Sequence, residues 1–374
     1  MGWRVDRLAA LSHLTPGMRI TVVAKRHYTK KDAFAESFGR VYQLPLQWHR
    51  DGHQVQLHLL DYHSLRRDHT ARDGFDVYAE PAASPLALRR IVRAQARFNP
   101  DVVIGSGDSA IGLLGRWIAR RQGARFVFDA YDDYRRFGNS RLFLGWDAYG
   151  WLVNRADVVM YASQRLADEH SGSAASVIVP NGVDPAQFAP ADLARSRSDN
   201  ALPPPEQVRL VGYFGSMERD RGVDVLIEAV RKLHCNDPRV RLLLAGRKRD
   251  DMQLDAAWIH YVGQVDHRSI PGLLNACDVV ALPYLLSPLM DMGASCKIAE
   301  YLFCRRPLAA TRTPNFLCNF PHQAQALADR LASPGDADDL ARVLSLQLDT
   351  PSIAPVPEEM AWQRIAHQAA AAFG

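Results

Sequence analysis

The chain has 374 residues, enough for two or three domains with substantial apolar cores, so a peptide or a minimal binding module is excluded. Hydrophobic residues make up 47% and charged residues 23%, with 24 Gly and 22 Pro, which excludes disordered, collagenous and coiled-coil chains. Residues 1–190 hold 25 Lys and Arg against 19 Asp and Glu within an overall net charge of +4, a modest basic excess that suits nucleic acid, an anionic membrane face, a phosphorylated substrate or plain solvent.

Short apolar or β-branched runs alternate with helical patterns along the whole chain. In the first half the expected strands are 19–24, 55–61, 102–106, 126–129, 158–162 and 177–179; in the second they are 209–214, 241–245, 259–262, 279–283 and 308–311. Continuous apolar strands separated by helices imply parallel sheets covered on both faces, so the fold class is α/β with two doubly wound domains. The stretch ARSRSDNALPPPEQV (194–208) has three consecutive prolines and reads as the connection between them. Residues 1–193 then form the first domain and 209–357 the second, and EEMAWQRIAHQAAAAF near the end reads as an amphipathic helix after a breaker stretch.

The five cysteines (Cys235, Cys277, Cys296, Cys304, Cys318) include no CxxC pair, the pattern of reduced thiols in a cytosolic protein without a zinc site. No apolar run approaches the ~18–20 residues of a membrane span, and the first residues, MGWRVDRLAALSHLTPG, lack the apolar core of a signal peptide. The expected location is cytoplasmic.

Two segments of the second domain carry chemistry. In RLVGYFGSMERDRGVDVLIEAV a strand ends at Gly215 and a helix begins near Gly222. Free amides at a strand-to-helix turn suit an anion, with Arg221 adding charge and Ser216 a hydroxyl. In ALPYLLSPLMDMGASCKIAEYLFCRRPLAAT, Ser295 is placed to cap a helix, Lys297 to meet further phosphate oxygens, and Glu300 to accept two hydrogen bonds from a ribose diol. Each has a plainer alternative: a tight turn with a solvent-facing Arg, and a surface Lys–Glu pair three residues apart.

Taken together, VIVPNGVDPAQFAP, YFGSMERDRGVDVLIEA, LLLAG with IHYVGQV, NACDVVALPY and SCKIAEYLFCRRPLAAT resemble the GT-B glycosyltransferases, above all the family 4 retaining enzymes, in order and spacing across nearly the whole chain. The terminal MAWQRIAHQ resembles the helix that crosses back onto the first domain in that fold, here 358–374. The resemblance implies two Rossmann-like domains facing a cleft. It implies a transfer of sugar from a nucleotide-diphosphate sugar, UDP- or GDP-linked, to an acceptor hydroxyl, with retention of configuration and no further cofactor. Gly215, Ser216 and Arg221 would face the diphosphate, and Glu300 matches the second carboxylate of the family's Glu-x7-Glu motif. The first carboxylate falls on Met292; Asp291 beside it, or backbone amides of the loop through Gly293 to Ser295, would take its place.

In the first domain, FVFDA leads to Tyr131, Asp132 and Asp133, where many relatives have a His-Asp pair. Asp132 is the first catalytic candidate and Asp133 the second, as a base or a stabiliser of positive charge on the donor sugar; a helix cap is the alternative for Asp133. The spacing of Asp129, Asp132 and Asp133 suggests a metal site only weakly, because this fold neutralises diphosphate with helix ends and basic residues. On the acceptor side, Lys25, Arg26, His27, Lys30, Lys31 and Arg40 follow the first strand, with Gly39 where the family has a glycine-rich loop. They would grip a phosphorylated or lipid-linked glycan acceptor, as in cell-envelope or exopolysaccharide synthesis. The aromatic stretch 137–151 (Phe137, Phe143, Trp146, Tyr149, Trp151) suits core packing or an interfacial segment on an anionic membrane, and nucleic acid is not an expected partner. Competing readings are a small-molecule glycosyltransferase, a nucleotide-sugar epimerase or phosphorylase on the same fold, and a non-catalytic binding protein. A dehydrogenase reading of VVIGSGDSAIG fails because its third glycine, Gly112, is misplaced.

Overall fold

The computed structural model describes residues 17–28, 31–37, 39–132, 134–135, 141–142, 145–170, 172–293 and 295–374; the expectations on Lys30, Asp133, Phe137 and Phe143 lie outside them. The first sheet comprises β1 (Arg19–Lys25), β2 (Gln54–Asp61), β3 (Asp68–Arg72), β4 (Phe75–Pro81), β5 (Val102–Ser106), β6 (Arg125–Ala130), β7 (Val158–Tyr161) and β8 (Ala175–Ile178), in the order β8-β7-β6-β5-β1-β2-β4-β3. All neighbours are parallel except β3 and β4. The second comprises β9 (Arg209–Phe214), β10 (Val240–Ala245), β11 (Ile259–Tyr261), β12 (Val279–Leu282), β13 (Leu308–Thr311) and β14 (Leu331–Ala332), all parallel, in the order β11-β10-β9-β12-β13-β14.

Strand order reverses between β1 and β5 in the first sheet and between β9 and β12 in the second, and the crevice outside the strand ends at such a switch point is where open α/β sheets take ligands. The segments singled out from sequence follow β1, β6, β9 and β12. Strands β3, β4 and β14 were not expected. DHTAR is a polar antiparallel edge with alternate residues exposed, FDVYAEP carries charge within the run, and β14 is two residues long.

The expected connection 194–208 departs from the structure at its start, where Leu193–Asp199 is a helix. Asp192 caps it, and Arg197 is fully buried against the second sheet, donating to the carbonyls of Ala276 (2.9 Å) and Val208 (2.8 Å) and pairing with Asp278. A buried guanidinium with carbonyl acceptors is invisible in a Ser- and Arg-rich string. The helix Trp362–Ala371 buries Trp362, Ile365, Ala366 and Ala369 in the same apolar cluster as Val41 and Trp48, and Trp48 Nε1 donates to Ala366 O at 2.8 Å. Where the chain leaves and returns, Val183 N donates to Met360 O (2.9 Å) and Trp362 N to Val183 O (3.0 Å).

Arg40, expected as a free acceptor-side cation, is instead buried at the start of the helix Arg40–Arg50. Its guanidinium donates to Asp129 Oδ1 (2.7 Å) and Oδ2 (3.2 Å) and to Val179 O (2.6 Å), and Ser106 Oγ donates to Asp129 Oδ2 (2.6 Å). The arrangement ties the ends of β5, β6 and β8 to that helix. Burial pushes the Asp129 carboxyl above its ordinary value while Arg40 and Ser106 pull it back.

Two stability measurements follow from this packing. Arg40→Met strands a buried carboxylate and is expected to cost roughly 3–5 kcal/mol in urea unfolding, with much of it regained in Arg40→Met/Asp129→Leu; a neutral single variant contradicts the structural role. Trp362→Ala opens a cavity under the returning helix and should cost roughly 3–5 kcal/mol in the same assay.

Candidate active site

At the end of β9 the chain turns on Gly215 (φ 150°), and a Cβ there would strike the aliphatic chain of Lys297. A side chain there would have to displace the end of Lys297 and adopt a strained backbone, so the glycine and the lysine share one small space. Gly222 (φ 66°) closes the 3-10 turn Arg219–Arg221 and starts the helix Val223–Asn236, its α-carbon turned against Pro283 O after β12.

Arg221 lies in the corner so formed. Its guanidinium sits 5.4 Å from the Tyr284 ring centroid, its nearest carboxylate oxygen is Asp220 Oδ1 at 3.8 Å, and its Nε–H is buried without an acceptor. A buried orphan donor on a cation is a standing demand for an anion. Ser216 is half-buried, and its carbonyl accepts from Tyr213 OH (2.8 Å).

The helix Cys296–Phe303 presents its N-terminus to the same corner. Ser295 occupies the N-cap position, but its hydroxyl makes no cap and lies 3.3 Å from Tyr284 OH, a correction to the expected capping role. Cys296 shows how closely the polar groups converge: burial and Glu300 push its thiol up to about 12, and Lys297 and Arg221 pull against that shift. Glu300 is not a surface partner of Lys297. It is 6% exposed, and its Oε1 lies 2.8 Å from His267 Nε2.

The loop ahead of that helix is held from three sides. Asn315 Nδ2 donates to Met290 O (2.7 Å), Asn319 Nδ2 to Gly293 O (3.2 Å), and Ser163 Oγ, just beyond β7 of the other sheet, to Met292 O (2.7 Å). Met292 is buried, while Asp291 beside it has Oδ1 buried without a partner, and its carboxyl is shifted up by burial against the pull of Arg165.

Across from these groups, Tyr28 OH donates to Asp132 Oδ2 at 2.6 Å, and the Tyr131 ring packs edge-on against Tyr28 at 4.8 Å. Burial, with Tyr131 and Asp132 adding, pushes the Tyr28 hydroxyl far above its ordinary value, so it stays a donor. Arg40 lies over the Tyr131 ring at 5.5 Å. Gly39 (φ 75°) has open space where a Cβ would stand.

The other expected acceptor-side cations are spoken for. Lys25 Nζ pairs with Asp108 Oδ2 (2.9 Å), and Arg26 pairs with Asp32 (2.9 Å), Asp61 (3.3 Å) and Asp68 (2.8 Å). Among the described residues, Lys25 and Arg26 are therefore held by carboxylates of their own domain. In the aromatic stretch Tyr149 is buried, and Trp151 packs between Trp146 (5.6 Å) and the Arg116 guanidinium (5.0 Å). No helix among the described residues is long and apolar enough to cross a membrane. Sequence reading missed His267, Tyr28 and Ser163, which lie 33, 104 and 129 residues from Glu300, Asp132 and Met292.

Comparison with known proteins agrees with this architecture. Residues 40–187 match the family model "Glycosyltransferase Family 4" and residues 208–349 the model "Glycosyl transferases group 1". The chain is 28% identical over 225 residues to the 2-deoxystreptamine glucosyltransferase of Streptomyces kanamyceticus, covering 56% of this chain and 55% of that protein. It is 29% identical over 230 residues to a GDP-mannose-dependent alpha-(1-6)-phosphatidylinositol monomannoside mannosyltransferase of Mycolicibacterium smegmatis, covering 57% and 59%. The chain thus spans about half the length of the curated relatives it matches. Among solved structures, the sucrose-phosphate synthase of Thermosynechococcus elongatus superimposes with a TM-score of 0.70 at 18% identity over 95% of this chain and 98% of that one. Anabaena HepE in complex with UDP-glucose does so with a TM-score of 0.65 at 18% identity over 95% and 98%. With two Rossmann-like domains and a family model matched in each, the chain belongs to the GT-B glycosyltransferases of families 4 and 1.

Proposed function

We propose that this chain transfers a sugar from a nucleotide-diphosphate sugar to an acceptor hydroxyl, with retention of configuration. The observation that carries the reading is the placement of Lys297 on the Cβ-free face of Gly215 together with Arg221, with its orphan Nε–H, both acting on Cys296 at the start of the same helix. Two cations and a helix N-terminus at one strand end form a preorganised charge trap for a leaving diphosphate. In this reading the diphosphate lies over Gly215 and Ser216, Glu300 holds the ribose diol, and the sugar reaches the loop of Asp291, Gly293 and Ser295. Asp291 takes a sugar hydroxyl in place of the carboxylate that Met292 lacks, which its unpartnered oxygen supports. The donor base is uridine or guanosine: HepE is described with UDP-glucose, and the mycobacterial relative is named for GDP-mannose.

The acceptor enters over Gly39 toward Asp132. Tyr28 orients that carboxylate, and Asp132 takes the acceptor proton or stabilises positive charge on the donor sugar. The mannosyltransferase relative's name, which specifies a phosphatidylinositol monomannoside, supports a lipid-linked acceptor. A second reading, a small uncharged or aminated acceptor, is favoured by the ion pairs that occupy Lys25 and Arg26 and by the aminocyclitol in the other relative's name.

A thermal-shift panel of UDP, GDP, ADP and dTDP tests the donor site, since a ligand of the native state raises stability by about 2.7 kcal/mol at 100 times its Kd. One diphosphate should stabilise the wild type and fail to do so in Lys297→Ala. Absence of any shift at millimolar nucleotide overturns the reading. With the sugar nucleotide so identified, Asp132→Asn should slow donor turnover by about 10²–10⁴-fold at unchanged donor KM, and Tyr28→Phe by less; full activity in Asp132→Asn removes it from the chemistry.

A further inference from the structure

Glu300 does not stand alone in the donor site. His267, in the turn after β11, lies with Nε2 2.8 Å from Glu300 Oε1. Gln187, from the segment crossing from the first sheet to the second, places Nε2 3.3 Å from His267 Nδ1 and 3.3 Å from His267 O. The next residue, Phe188, is buried and holds the imidazole at 5.3 Å between ring centroids, 56° from parallel. An amide NH2 only donates, so the imidazole nitrogen facing Gln187 is the acceptor and the ring proton sits on Nε2, pointing at Glu300.

We propose that His267 is the positioning residue of the donor site, its tautomer fixed by Gln187 so that Nε2–H anchors one carboxylate oxygen of Glu300 and aims the group at two vicinal ribose hydroxyls. This rests on the reading of Glu300 as the ribose carboxylate. An ionised carboxylate only accepts, and with one oxygen anchored it presents a fixed acceptor edge, which a diol matches and a 2′-deoxyribose does not. The arrangement makes the donor site selective for ribonucleotides. It also ties that selectivity to residues 187–188, four and five residues beyond the Val183 crossover.

Calorimetric titration of UDP, GDP and ADP, each against its 2′-deoxy counterpart, tests this on wild type, Glu300→Ala, His267→Phe, His267→Gln and Gln187→Leu. Wild type should prefer one ribonucleotide over its deoxy form roughly tenfold, the scale of one hydrogen bond to a charged group. His267→Phe keeps the ring packing against Phe188 and should abolish the preference by weakening ribonucleotide binding more than deoxynucleotide binding. His267→Gln restores a donor at the same reach and should restore the preference in part, and Gln187→Leu should fall between. A wild-type preference in His267→Phe, together with its loss in Glu300→Ala, overturns the role of His267 alone. A preference that survives Glu300→Ala, or no binding of any diphosphate by wild type, overturns the ribose reading and this inference with it. Melting temperatures of the unliganded variants separate misfolding from lost selectivity, because a damaged fold weakens both nucleotides equally.

Discussion

The corner at the end of β9 depends on the missing side chain at Gly215. The ends of β9 and β10 come so close that a Cβ on Gly246 would strike the Gly215 carbonyl, and one on Gly215 would strike Lys297. That close approach puts a lysine chain flat against backbone amides at a strand end and brings the N-terminus of Cys296–Phe303 to the same point. A side chain at 215 would push the cation outward by its own thickness, into higher dielectric where its attraction for an anion weakens. The site is therefore built by subtraction. Packing, which elsewhere fills space, is withheld at one residue.

The two domains treat their cations in opposite ways. In the first, Lys25, Arg26 and Arg40 are each bound to carboxylates, and Arg40 with Asp129 serves as a buried clamp across three strand ends. In the second, Arg221 has a buried donor with no acceptor. A tightly paired cation stabilises its own surroundings, and its field is cancelled a few ångströms away; Arg221, whose only close carboxylate is Asp220 at 3.8 Å and whose Nε–H has no hydrogen-bond acceptor among the described residues, is less fully compensated. Net charge, in which the first half is the more basic, thus does not report where a cation lacks an acceptor. The relevant quantity is charge left uncompensated at the strand ends.

The cleft is joined as well as flanked by the two domains. Ser163 holds the Met292 carbonyl, and the paired crossings at Val183 and Met360 lie a few residues from Gln187 and Phe188, which pack on His267. The loop ahead of Cys296–Phe303 is therefore fixed partly by an atom that belongs to the first domain, a geometry that couples the separation of the domains to the shape of that loop.

Strand positions, the paired parallel sheets and the strings around Gly215, Arg221, Lys297 and Glu300 were legible in the sequence. They depend on interactions local in the chain: apolar runs that must be buried on both faces, and glycines, caps and charges within one strand-to-helix turn. The sequence by itself determined which residue types stand at each strand end. Only the tertiary structure decided which of them are free. Arg40 became a clamp, Lys25 and Arg26 were neutralised, Glu300 found His267, and Asp132 found Tyr28, through partners separated by up to 104 residues along the chain. Partner choice at that range follows from strand order, because a crossover brings β1 to one side of β5 and β6 to the other, and no pattern within a single segment records it.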